Sequence, residues 1–537
     1  MTDQQPIYIL RESTQRTKGR GAQGNNIYAA KAVADAVRST LGPKGMDKML
    51  VDSMGDVVIT NDGATILKEI DVAHPAAKMI IEVAKTQEAE VGDGTTTSVV
   101  LAGELLKRAE DLIDDLHPTI ITQGYRLAQI KASEILAAMA MPIKVGDQDV
   151  LTRIARTSMA SKGAAAQCEL LGRIVVEAAT LIAEPGATGE AVVDKQWIKL
   201  EKKVGGNVGE TELVRGVVLS KERVNSRMPE RVIDARVALL GAAIEIKKTE
   251  VEAKIEITKP EQMQAFLDEE EKTLRRLVQA IEDSGATVVF AQKGIDDLAQ
   301  HFLAKAGIFA VKSVSEKDMK HLSRATGARL VSNLKELTKD DLGQAGLVEQ
   351  RKVGDDEVTF VTECKAPKSV TIIVRGGTEH VVDEVERTLD DAIGVVTTAL
   401  KEGKYVAGAG APEVEVALGL RRYASSVGGR EQLAIEAFAD AVEIIPRTLA
   451  ENAGLDAINV LVDLRSAHEK GQKTAGINLD SGKVENMLDA HVIEPLRVKT
   501  QALASATEVA TMILRIDDVI AAKASGAPPG GPDGGDF

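Results

Sequence analysis

The spacing of apolar residues divides the chain into helical ends and a mixed middle. Apolar residues recur three and four positions apart through residues 26–143, and this spacing predicts amphipathic helices. The most regular runs are residues 76–89, 95–116 and 119–139. The pattern continues through residues 148–185, with a break at a polar, basic turn, and it returns over residues 406–523.

Between residues 192 and 375 the pattern changes to short runs typical of strands. The predicted strands are residues 197–204, 212–219, 236–240, 287–291, 308–311, 329–331, 350–352, 357–363 and 370–375. Helical patterns at residues 295–306 and 316–326 separate several of them, which predicts an α/β domain with a parallel core sheet. A long helix predicted at residues 379–400 then leads back to the helical C-terminal part.

Two segments depart from both patterns. Residues 245–276 are heavily charged with few large apolar side chains, so the segment alone predicts a solvated helical excursion that adds little to a core. Residues 525–537 are rich in Gly, Pro and Asp, a composition typical of a disordered tail. Helical ends around an α/β middle indicate a nested insertion, in which both ends of the chain build one base.

Length and composition narrow the class of protein. A chain of 537 residues is long enough for several domains. The formal net charge of −15 and the low aromatic content of 2% argue against a nucleic-acid partner. Cys168 and Cys364 lie far apart and outside any CxxC pair, so neither a disulfide framework nor a cysteine metal site is expected. Since no apolar run approaches about 18 residues, we expect a soluble, cytoplasmic protein with no membrane partner.

The segment Gly-Asp-Gly-Thr-Thr-Thr-Ser at residues 92–98 is the strongest chemical signal. It precedes an apolar, helix-forming run at residues 99–106. Glycine lets the backbone approach an anion, and the unpaired N–H groups and dipole of a helix N-terminus favour phosphate. Asp93 would repel phosphate unless Mg²⁺ lay between them, so the segment suggests a nucleotide–metal site. The alternative is a glycine turn with threonine caps that opens a surface helix.

A second segment, residues 41–49, reads Leu-Gly-Pro-Lys-Gly-Met-Asp-Lys-Met. It ends an amphipathic helix predicted at residues 27–40 and passes through a Gly/Pro turn into a strand predicted at residues 49–52. Lys44 or Lys48 could meet phosphate, although a solvated loop charge is the commoner role of such a lysine.

A third segment, residues 57–65, begins with the apolar run Val-Val-Ile. We expect a buried strand here that delivers Asp62 onto a glycine turn before a helix. A carboxylate between a strand end and a helix N-terminus suits a nucleotide–metal site, whereas Asn-Asp-Gly alone signals only a turn.

One further glycine motif is rejected. Residues 19–24 fit GxGxxG, but no strand is expected before them, so they predict a flexible segment and not a dinucleotide-binding turn. Neither a Walker A sequence nor an HExxH motif occurs.

Together, residues 41–49, 60–65 and 92–98 resemble the three N-terminal ATP-site motifs of the chaperonins. The match is closest to the group II type, the archaeal thermosome and the eukaryotic cytosolic chaperonin, and it extends over residues 25–523. Each motif alone is unspecific, and their combination is highly specific. The resemblance implies an ATP-driven protein-folding machine of two stacked rings, eight-membered in most archaeal members.

The resemblance implies roles for the residues that match the family's motifs. It implies catalytic roles for Asp62, Asp93 and Asp391, with Asp93 also holding Mg²⁺. The implied nucleotide-binding residues are Thr40, Leu41, Gly42, Pro43, Asn61, Gly94, Thr95, Thr96, Thr97, Ser98, Ser161, Lys162, Gly410, Ala411, Asn478, Glu494 and Lys499. Among these, Lys162 matches the loop that senses the γ-phosphate.

The assignment of Asp391 rests on one local match. The family places its catalytic aspartate immediately before an alanine of the long helix, here Ala392. Asp390 is a close competitor, because neighbouring helical residues point about 100° apart and only one of the two can face the phosphate. The glycine-rich turn at residues 408–413 also resembles the family's, with Ala409 in place of its middle glycine.

The fold class that the resemblance implies is multidomain, α and α/β. A helical equatorial base is joined through a small intermediate domain to an inserted α/β apical domain with a helical lid protrusion. The expected boundaries are 1–145 and 406–524 for the equatorial domain, 146–213 and 368–405 for the intermediate domain, 214–367 for the apical domain, about 245–276 for the protrusion and 525–537 for the tail. Because group II rings use the protrusion as a built-in lid, no separate co-chaperonin is expected.

The function implied is that of an ATP-dependent molecular chaperone. Binding and hydrolysis of Mg-ATP in the equatorial domain would close the lid over a double-ring cavity that holds non-native proteins. The expected partners are those proteins and further subunits in a homo- or hetero-oligomer. Two alternatives are a small-molecule kinase, which needs an acceptor pocket for which no motif is seen, and a non-catalytic ring scaffold, which should lack the three carboxylates.

Overall fold

The computed structural model describes residues 14–51, 54–144, 146–162, 167–186, 191–246, 260–354 and 356–522. These residues divide into two compact units. Unit 1 takes its residues from within Met1–Ala140, Val406–His491 and Val498–Phe537, and unit 2 from Met141–Tyr405 and Val492–Arg497. One unit is therefore built from both ends of the chain, and the other is inserted into it. The expected tail and part of the expected protrusion, residues 247–259, lie outside the described residues.

Helices dominate the two ends of the chain and also occur between the strands of its middle part. In chain order they are α1 (Arg20–Arg38), α2 (Gly63–Glu69), α3 (Pro75–Val91), α4 (Thr95–Leu112), α5 (Pro118–Met139), α6 (Gln148–Met159), α7 (Cys168–Ile182), α8 (Pro260–Ser284), α9 (Asp297–Lys305), α10 (Glu316–Thr326), α11 (Glu379–Glu402), α12 (Ala411–Val427), α13 (Glu431–Val442), α14 (Ile444–Asn452), α15 (Ala457–Glu469) and α16 (Leu496–Leu514). No helix among the described residues is long and apolar enough to cross a membrane.

Strands concentrate in the middle of the chain. In chain order they are β1 (Thr14–Lys18), β2 (Lys48–Val51), β3 (Val57–Thr60), β4 (Met141–Pro142), β5 (Glu184–Pro185), β6 (Ala191–Val192), β7 (Ile198–Val204), β8 (Glu212–Val214), β9 (Gly216–Leu219), β10 (Arg231–Leu240), β11 (Val288–Ala291), β12 (Phe309–Val311), β13 (Leu330–Val331), β14 (Gly343–Val353), β15 (Asp356–Thr362), β16 (Val370–Gly376), β17 (Lys404–Ala407), β18 (Ala475–Asn478), β19 (Lys483–Asn486), β20 (Ile493–Pro495) and β21 (Asp518–Ala522).

The helices predicted from apolar spacing are present, and their ends differ where a local residue overrides the pattern. Helix α4 ends at Leu112 because a short turn follows before His117, whose ring nitrogen caps the first turn of α5. Helix α7 ends at Ile182 and not at residue 185, because Pro185 cannot continue a helix and belongs to the strand β5.

The prediction of a flexible segment at residues 19–24 is wrong. Residues 20–24 form the first turns of α1, Gly19 is its N-cap, and a strand, β1, precedes them. Strand β1 pairs antiparallel with β21, so that Thr14 lies opposite Ala522 and Lys18 opposite Asp518. A partner this distant along the chain leaves no local sequence signal.

The core of unit 1 is a layered helical bundle. Fully buried side chains from α1, α3, α4 and α5 include Ile27, Ile80, Leu101 and Ile121. Tyr125 packs edge-on against Phe438 with ring centroids 5.6 Å apart, and its hydroxyl donates to the carbonyl of Leu105 at 2.8 Å. Burial raises the pKa of this phenol well above its ordinary range.

The strand at residues 57–60 is not buried, contrary to the prediction from its apolar sequence. It pairs with β2 in a two-stranded hairpin, in which Met49 lies opposite Ile59 and Val51 opposite Val57. These four side chains share one face and are 66%, 51%, 63% and 37% exposed, respectively. Only Thr60, at the end of β3, is buried.

Unit 2 contains a seven-stranded sheet that is only partly parallel. Its order is β12-β11-β10-β14-β15-β9, with β13 also paired to β10. The pairs among β10, β11, β12 and β13 are parallel, whereas β10–β14, β14–β15 and β15–β9 are antiparallel. The prediction of a parallel core sheet therefore holds for the half of the sheet formed by β10, β11, β12 and β13. The other half is formed by β9, β14 and β15, of which β14 and β15 follow each other directly in sequence and pair antiparallel.

The run predicted as one strand at residues 212–219 is two strands in different sheets. Strand β8 pairs with β16, which also pairs parallel to β7, whereas β9 pairs with β15 in the seven-stranded sheet. The change occurs at Gly216, whose φ of 152° lies outside the range that side-chain-bearing residues favour. Glycine thus allows the chain to leave one sheet and enter the other.

Both faces of the seven-stranded sheet are covered. One face packs through Leu239 and Phe290 against α10, and the other packs through Leu240 and Val289 against α8 and α9. Leu274 of α8 belongs to the second cluster and is 1% exposed. The expectation that residues 245–276 add little buried apolar area is therefore wrong at their C-terminal end, because α8 continues from the charged segment into the core.

Candidate functional site

The turn between α3 and α4 presents Asp93 at the N-terminus of a helix. Gly92 and Gly94 flank it with φ values of 80° and 77°, a left-handed conformation that glycine adopts without strain. The Asp93 carboxylate accepts a hydrogen bond from the N–H of Gly94 at 2.6 Å. Because α4 begins at Thr95, the N–H groups of its first turn have no partner within the helix and remain able to bind an anion.

The turn that carries Asn61 and Asp62 packs directly against this helix terminus. A Cβ added at Gly63 would collide with the side chain of Thr96, so only glycine permits the approach. Asp62 caps α2, since one carboxylate oxygen accepts from the N–H of Thr65 at 2.8 Å and from its hydroxyl at 2.7 Å. One oxygen of Asp62 is thereby engaged in the local turn.

The turn at Thr40–Leu41–Gly42–Pro43 is held against α14. The side-chain amide of Asn452 donates to the carbonyl of Leu41 at 2.9 Å and to that of Arg38 at 3.2 Å. Gly42, with φ 81°, lies so close to Leu449 that any side chain would collide with it. The helix end predicted from the sequence is thus fixed by residues from the other end of the chain.

The glycine-rich turn before α12 also lies against α14. Gly410 has φ 84°, and a Cβ there would lie 2.6 Å from the Cβ of Pro446. The N–H of Ile477 on β18 donates to the carbonyl of Ala409 at 3.0 Å. Gly410 and Ala411 therefore lie beside the hairpin that carries Asn478, and Lys44 forms an ion pair of 3.0 Å with Asp480 in the same hairpin.

Several predicted binding groups already have intramolecular partners. The hydroxyl of Ser98 donates to the carbonyl of Thr95 at 2.8 Å, and Ser98 is fully buried. The hydroxyl of Thr40 donates to Val37 at 2.8 Å. The amide of Asn478 bonds Glu485 at 2.8 Å and accepts from the N–H of Asp480 at 3.0 Å. These hydroxyl and amide groups shape the turns, whereas Thr96 and Thr97 are only partly buried.

Lys499 is buried together with a carboxylate. Its ammonium lies 3.0 Å from an Oε of Glu413, and the two side chains are 8% and 7% exposed. Glu413 belongs to the first turn of α12, and Thr97, Pro412, Glu413 and Lys499 all line one small cavity. The pair therefore joins the helix that follows Gly410 to α16.

The remaining predicted residues lie in unit 2. Lys162, in the turn after α6, forms an ion pair with Asp391 on α11, and the two side chains are 7% and 15% exposed. Asp390 points elsewhere, because its side chain is 50% exposed and lies 3.4 Å from Lys195. Ser161 precedes Lys162 directly, and Glu494 lies on β20, whose Ile493 N–H donates to Thr157 of α6 at 3.3 Å.

Each unit thus gathers its own set of predicted residues. Unit 1 holds Thr40–Pro43, Asn61, Asp62, Asp93–Ser98, Gly410, Ala411, Asn478 and Lys499, and unit 2 holds Ser161, Lys162, Asp391 and Glu494. Among the described residues, no group of three or more His, Cys, Asp or Glu side chains could hold a metal ion by itself. A magnesium ion in such a site therefore depends on ligands from a nucleotide as well, as is usual for Mg²⁺ bound to phosphates.

The sequence interpretation assigned no individual role to Gln87, Glu413 or Asn452, each of which contacts a predicted binding segment. Gln87 offers a recognisable signal, since it occupies a position in the apolar stripe of α3, with Ile80, Ala84 and Val91. A polar residue at such a position is buried and must find a hydrogen-bond partner. The pairing of Asn452 with Leu41 has no comparable signal, because 411 positions separate them.

Comparison with known proteins gives one consistent result. The model of the TCP-1/cpn60 chaperonin family matches residues 33–524. The thermosome subunit beta of Archaeoglobus fulgidus is 61% identical over 528 residues, which is 98% of this chain and 97% of that protein. The thermosome subunit of Methanopyrus kandleri is 61% identical over 522 residues, 97% of this chain and 96% of its own. The thermosome subunit alpha of Thermoplasma acidophilum is 56% identical over 535 residues, 99% and 97% of the two chains.

The family model covers nearly the whole chain and so includes residues of both units. This match shows that the protein is a chaperonin. The chain belongs to the TCP-1/cpn60 chaperonin family. The predicted multidomain α and α/β chaperonin fold is confirmed, as is the resemblance to the thermosome type within the family. Its general class is therefore that of a protein-folding chaperone.

Proposed function

We propose that this chaperonin binds and hydrolyses Mg-ATP at the cradle formed in unit 1, and that hydrolysis drives the enclosure of non-native proteins. The observation that carries the proposal is Asp93 between two left-handed glycines at the N-terminus of α4, with the Asp62 turn packed against Thr96. A helix N-terminus favours phosphate, and a carboxylate beside it favours a divalent cation.

The residues present fit Mg²⁺ and a nucleotide. Asp93 supplies a hard oxygen ligand on a turn fixed by its neighbours, and Mg²⁺ in phosphate sites commonly uses one or two protein carboxylates. The glycines at positions 42, 94 and 410 keep three turns free of side chains. The Thr95–Thr97 backbone, the turn at Thr40–Pro43 and the turn at Gly410–Ala411 would hold phosphates and ribose.

Different side chains of the chain would carry out different parts of the reaction. Bound Mg²⁺ neutralises charge on phosphate oxygens. Asp93 would orient the bound cation, and Asp391, with Asp62, would orient or deprotonate the attacking water. Lys162 would respond to the γ-phosphate, and its ion pair with Asp391 would couple a shift of one side chain to the other. The burial of this pair, compared with the exposed Asp390, supports Asp391 as the catalytic aspartate.

We further propose the arrangement of equatorial, intermediate and apical domains given by the sequence boundaries. The passage from β8 to β9 at Gly216 supports a boundary near residues 213–214, because the two strands belong to different sheets. The protrusion at about residues 245–276 would act as a built-in lid, with no separate co-chaperonin. Lid closure would follow the arrival of Asp391 and Lys162 at the nucleotide, as in other enzymes whose closure completes the site.

We propose that the subunits assemble into two stacked rings of eight. The exposed apolar face of the β2–β3 hairpin supports self-association. Two cross-strand pairs of apolar side chains on this face are exposed to solvent in the single chain. The similar proteins named thermosome subunit alpha and beta support either a homo-oligomer or a hetero-oligomer.

The test combines two measurements on purified protein. ATP hydrolysis is measured with Mg²⁺, with and without a chemically unfolded protein, and the native mass is measured in parallel. We expect Mg-dependent turnover from a large assembly, with a rate that responds to the unfolded protein. Turnover of ATP only in the presence of a small-molecule acceptor would contradict the proposal, as would an assembly that does not hydrolyse ATP.

A further inference from the structure

Gln87 is a fully buried polar side chain beside the candidate nucleotide cradle. It lies on α3 one turn before the helix ends at Val91, and its exposure is 0%. Its neighbours along the buried face of α3 are apolar, including Ile80, Val83 and Ala84. A buried amide among apolar residues is costly unless it is hydrogen-bonded, so the contacts of Gln87 are informative.

The amide of Gln87 bridges two backbone segments. Its Nε2 donates to the carbonyl of Asp93 at 2.8 Å and to the carbonyl of Val498 at 3.3 Å. The first acceptor belongs to the proposed magnesium ligand itself, and the second belongs to the residue directly before Lys499. A single side chain therefore fixes two parts of the cradle that are remote in sequence.

The bridge is also tightly packed. A Cβ added at Gly94 would lie 3.0 Å from Gln87 Nε2 and 2.9 Å from Val498 Cγ1. The amide and Val498 thus enclose the Asp93–Gly94 peptide from one side. Because the Asp93 carboxylate is oriented by its own backbone and by the Gly94 N–H, any rotation of this peptide would redirect the carboxylate.

We propose that Gln87 is a positioning residue for the magnesium site, holding Asp93 in the orientation that binds the cation in the nucleotide complex. The inference rests on the proposed nucleotide function. Gln87 does not contact the nucleotide in this scheme; it acts through the Asp93 carbonyl. Groups that orient a metal ligand commonly change metal affinity about 10–100-fold when they are removed.

The test measures metal dependence without catalysis. ADP binding to the full-length assembled protein is followed by calorimetry as Mg²⁺ is titrated, for the wild type and for Gln87→Met, which keeps the size of the side chain but donates no hydrogen bond. We expect the Mg²⁺ midpoint to rise about tenfold, with ADP affinity in the absence of Mg²⁺ unchanged within about twofold. A purely structural role would lower the fraction of binding sites without moving the midpoint.

Two further variants keep the test decisive. Gln87→Asn retains the amide on a side chain one methylene shorter, which cannot span both carbonyls, and it is measured in parallel in case Gln87→Met does not assemble. We expect the same direction of shift. Thr86→Ala is the matched control, because Thr86 is the neighbouring, exposed residue of α3 and its hydroxyl donates to the Glu82 carbonyl at 2.9 Å, within its own helix.

The outcomes separate this inference from the proposed function. Wild-type midpoints in both Gln87 variants, with normal Mg-ADP binding by the wild type, would overturn the role of Gln87 alone. A wild-type protein that binds ADP with no dependence on Mg²⁺ would overturn both. A raised midpoint in the Gln87 variants with an unchanged Thr86→Ala supports the inference.

Discussion

Asp391 and Lys162 illustrate how much a single buried contact constrains a residue. The two opposite charges are removed from water together, and either alone would be costly to bury. Asp390, one position earlier, is half exposed and pairs with Lys195 on the surface. Two adjacent aspartates of one helix thus have different environments, which is the difference that the sequence could not resolve.

Replacement of Asp391 tests its proposed catalytic role. We expect Asp391→Asn to lower ATP turnover by at least about 10²-fold with little change in nucleotide binding, because activation of water acts in the transition state. Steady-state hydrolysis and ADP affinity are the measurements. Asp390→Asn is the matched control and should keep most of its activity. Normal hydrolysis by Asp391→Asn together with loss in Asp390→Asn would reverse the assignment.

His321 is a second residue whose environment determines its charge. Burial, with the nearby positive charge of Lys199, lowers its pKa from 6.5 to about 4. Its Nδ1 lies 2.8 Å from the Ser369 hydroxyl, and its ring packs edge-on against Trp197 at 5.9 Å. The neutral imidazole is therefore the form that the folded protein accommodates.

Stability is expected to depend on this histidine at mildly acidic pH. The unfolded chain binds a proton near pH 6.5 and the folded chain only near pH 4, so stability is lost as the pH falls between these values. We expect a loss of roughly 1–2 kcal/mol between pH 7 and pH 5 that is absent in His321→Phe, which keeps an aromatic ring but cannot titrate. Urea midpoints at both pH values provide the measurement. The exposed His380→Gln should behave as the wild type.

At the scale of elements, local pattern predicted the helices well and the strands only in part. Apolar spacing located α3 and α5 because each buries one face against neighbouring helices, and it located α4, in which residues 98–106 are all buried. It could not reveal that β1 pairs with β21, nor that half of the central sheet is antiparallel, because these depend on partners far along the chain. Likewise, the motifs located Asp93 and Asp62, whereas no local pattern indicates that Asn452 bonds the Leu41 carbonyl, 411 positions away.

The ion pair between Glu413 and Lys499 joins the beginning of α12 to α16. We expect Glu413→Ala to destabilise the protein by about 3–5 kcal/mol, because it leaves the Lys499 ammonium buried without this carboxylate. Replacement of both residues, Glu413→Leu with Lys499→Met, should cost less than the two single changes added together. Chemical unfolding of nucleotide-free protein measures Glu413→Ala, the single changes Glu413→Leu and Lys499→Met, and the double variant.

The exposed pair of Glu134 and Lys131 on α5 is the matched control for the replacement of Glu413. It has a similar distance, 2.8 Å, but its side chains are 60% and 38% exposed. Glu134→Ala is therefore expected to cost less than about 1 kcal/mol. Equal costs for Glu413→Ala and Glu134→Ala would contradict the importance of burial.

The course of α8 changes how a lid deletion should be designed. Removal of residues 248–269 leaves Leu274, Val278 and Ile281 in the core, so we expect the α/β unit to remain folded and ATP turnover to persist. Enclosure should be lost, and a protease-sensitive substrate that the intact assembly protects in the presence of ATP should become digestible. Unchanged protection would mean that the segment is only a solvated helix.

A longer deletion provides the comparison. Removing residues 245–276 also removes Leu274. This side chain is 1% exposed and packs in the core between α8 and the seven-stranded sheet. Loss of a buried leucine typically costs about 2–5 kcal/mol. We therefore expect this variant to unfold more readily than the shorter deletion, as circular dichroism during heating would show.

At the scale of the whole molecule, the single chain leaves an apolar hairpin face in solvent. Met49, Val51, Val57 and Ile59 would favour contact with further copies, and closed symmetry is the usual outcome for such subunits. We expect electron microscopy and native mass measurements to find a stacked double ring of about 0.9 MDa, from sixteen copies of a 57.1 kDa chain. A stable monomer at micromolar concentration would contradict the assembly.

The division of unit 1 between the two ends of the chain has a consequence for biosynthesis. During synthesis, residues 141–405 leave the ribosome before Val498 and the β21 strand exist, so most of unit 2 can fold while the N-terminal helices of unit 1 still lack their C-terminal partners. The faces of α4 and α5 that pack against α13 stay uncovered for that interval, because α13 is translated later. A nascent chain of this chaperonin is thus itself a candidate for chaperone assistance, and its nucleotide cradle is completed only after Lys499 has been translated.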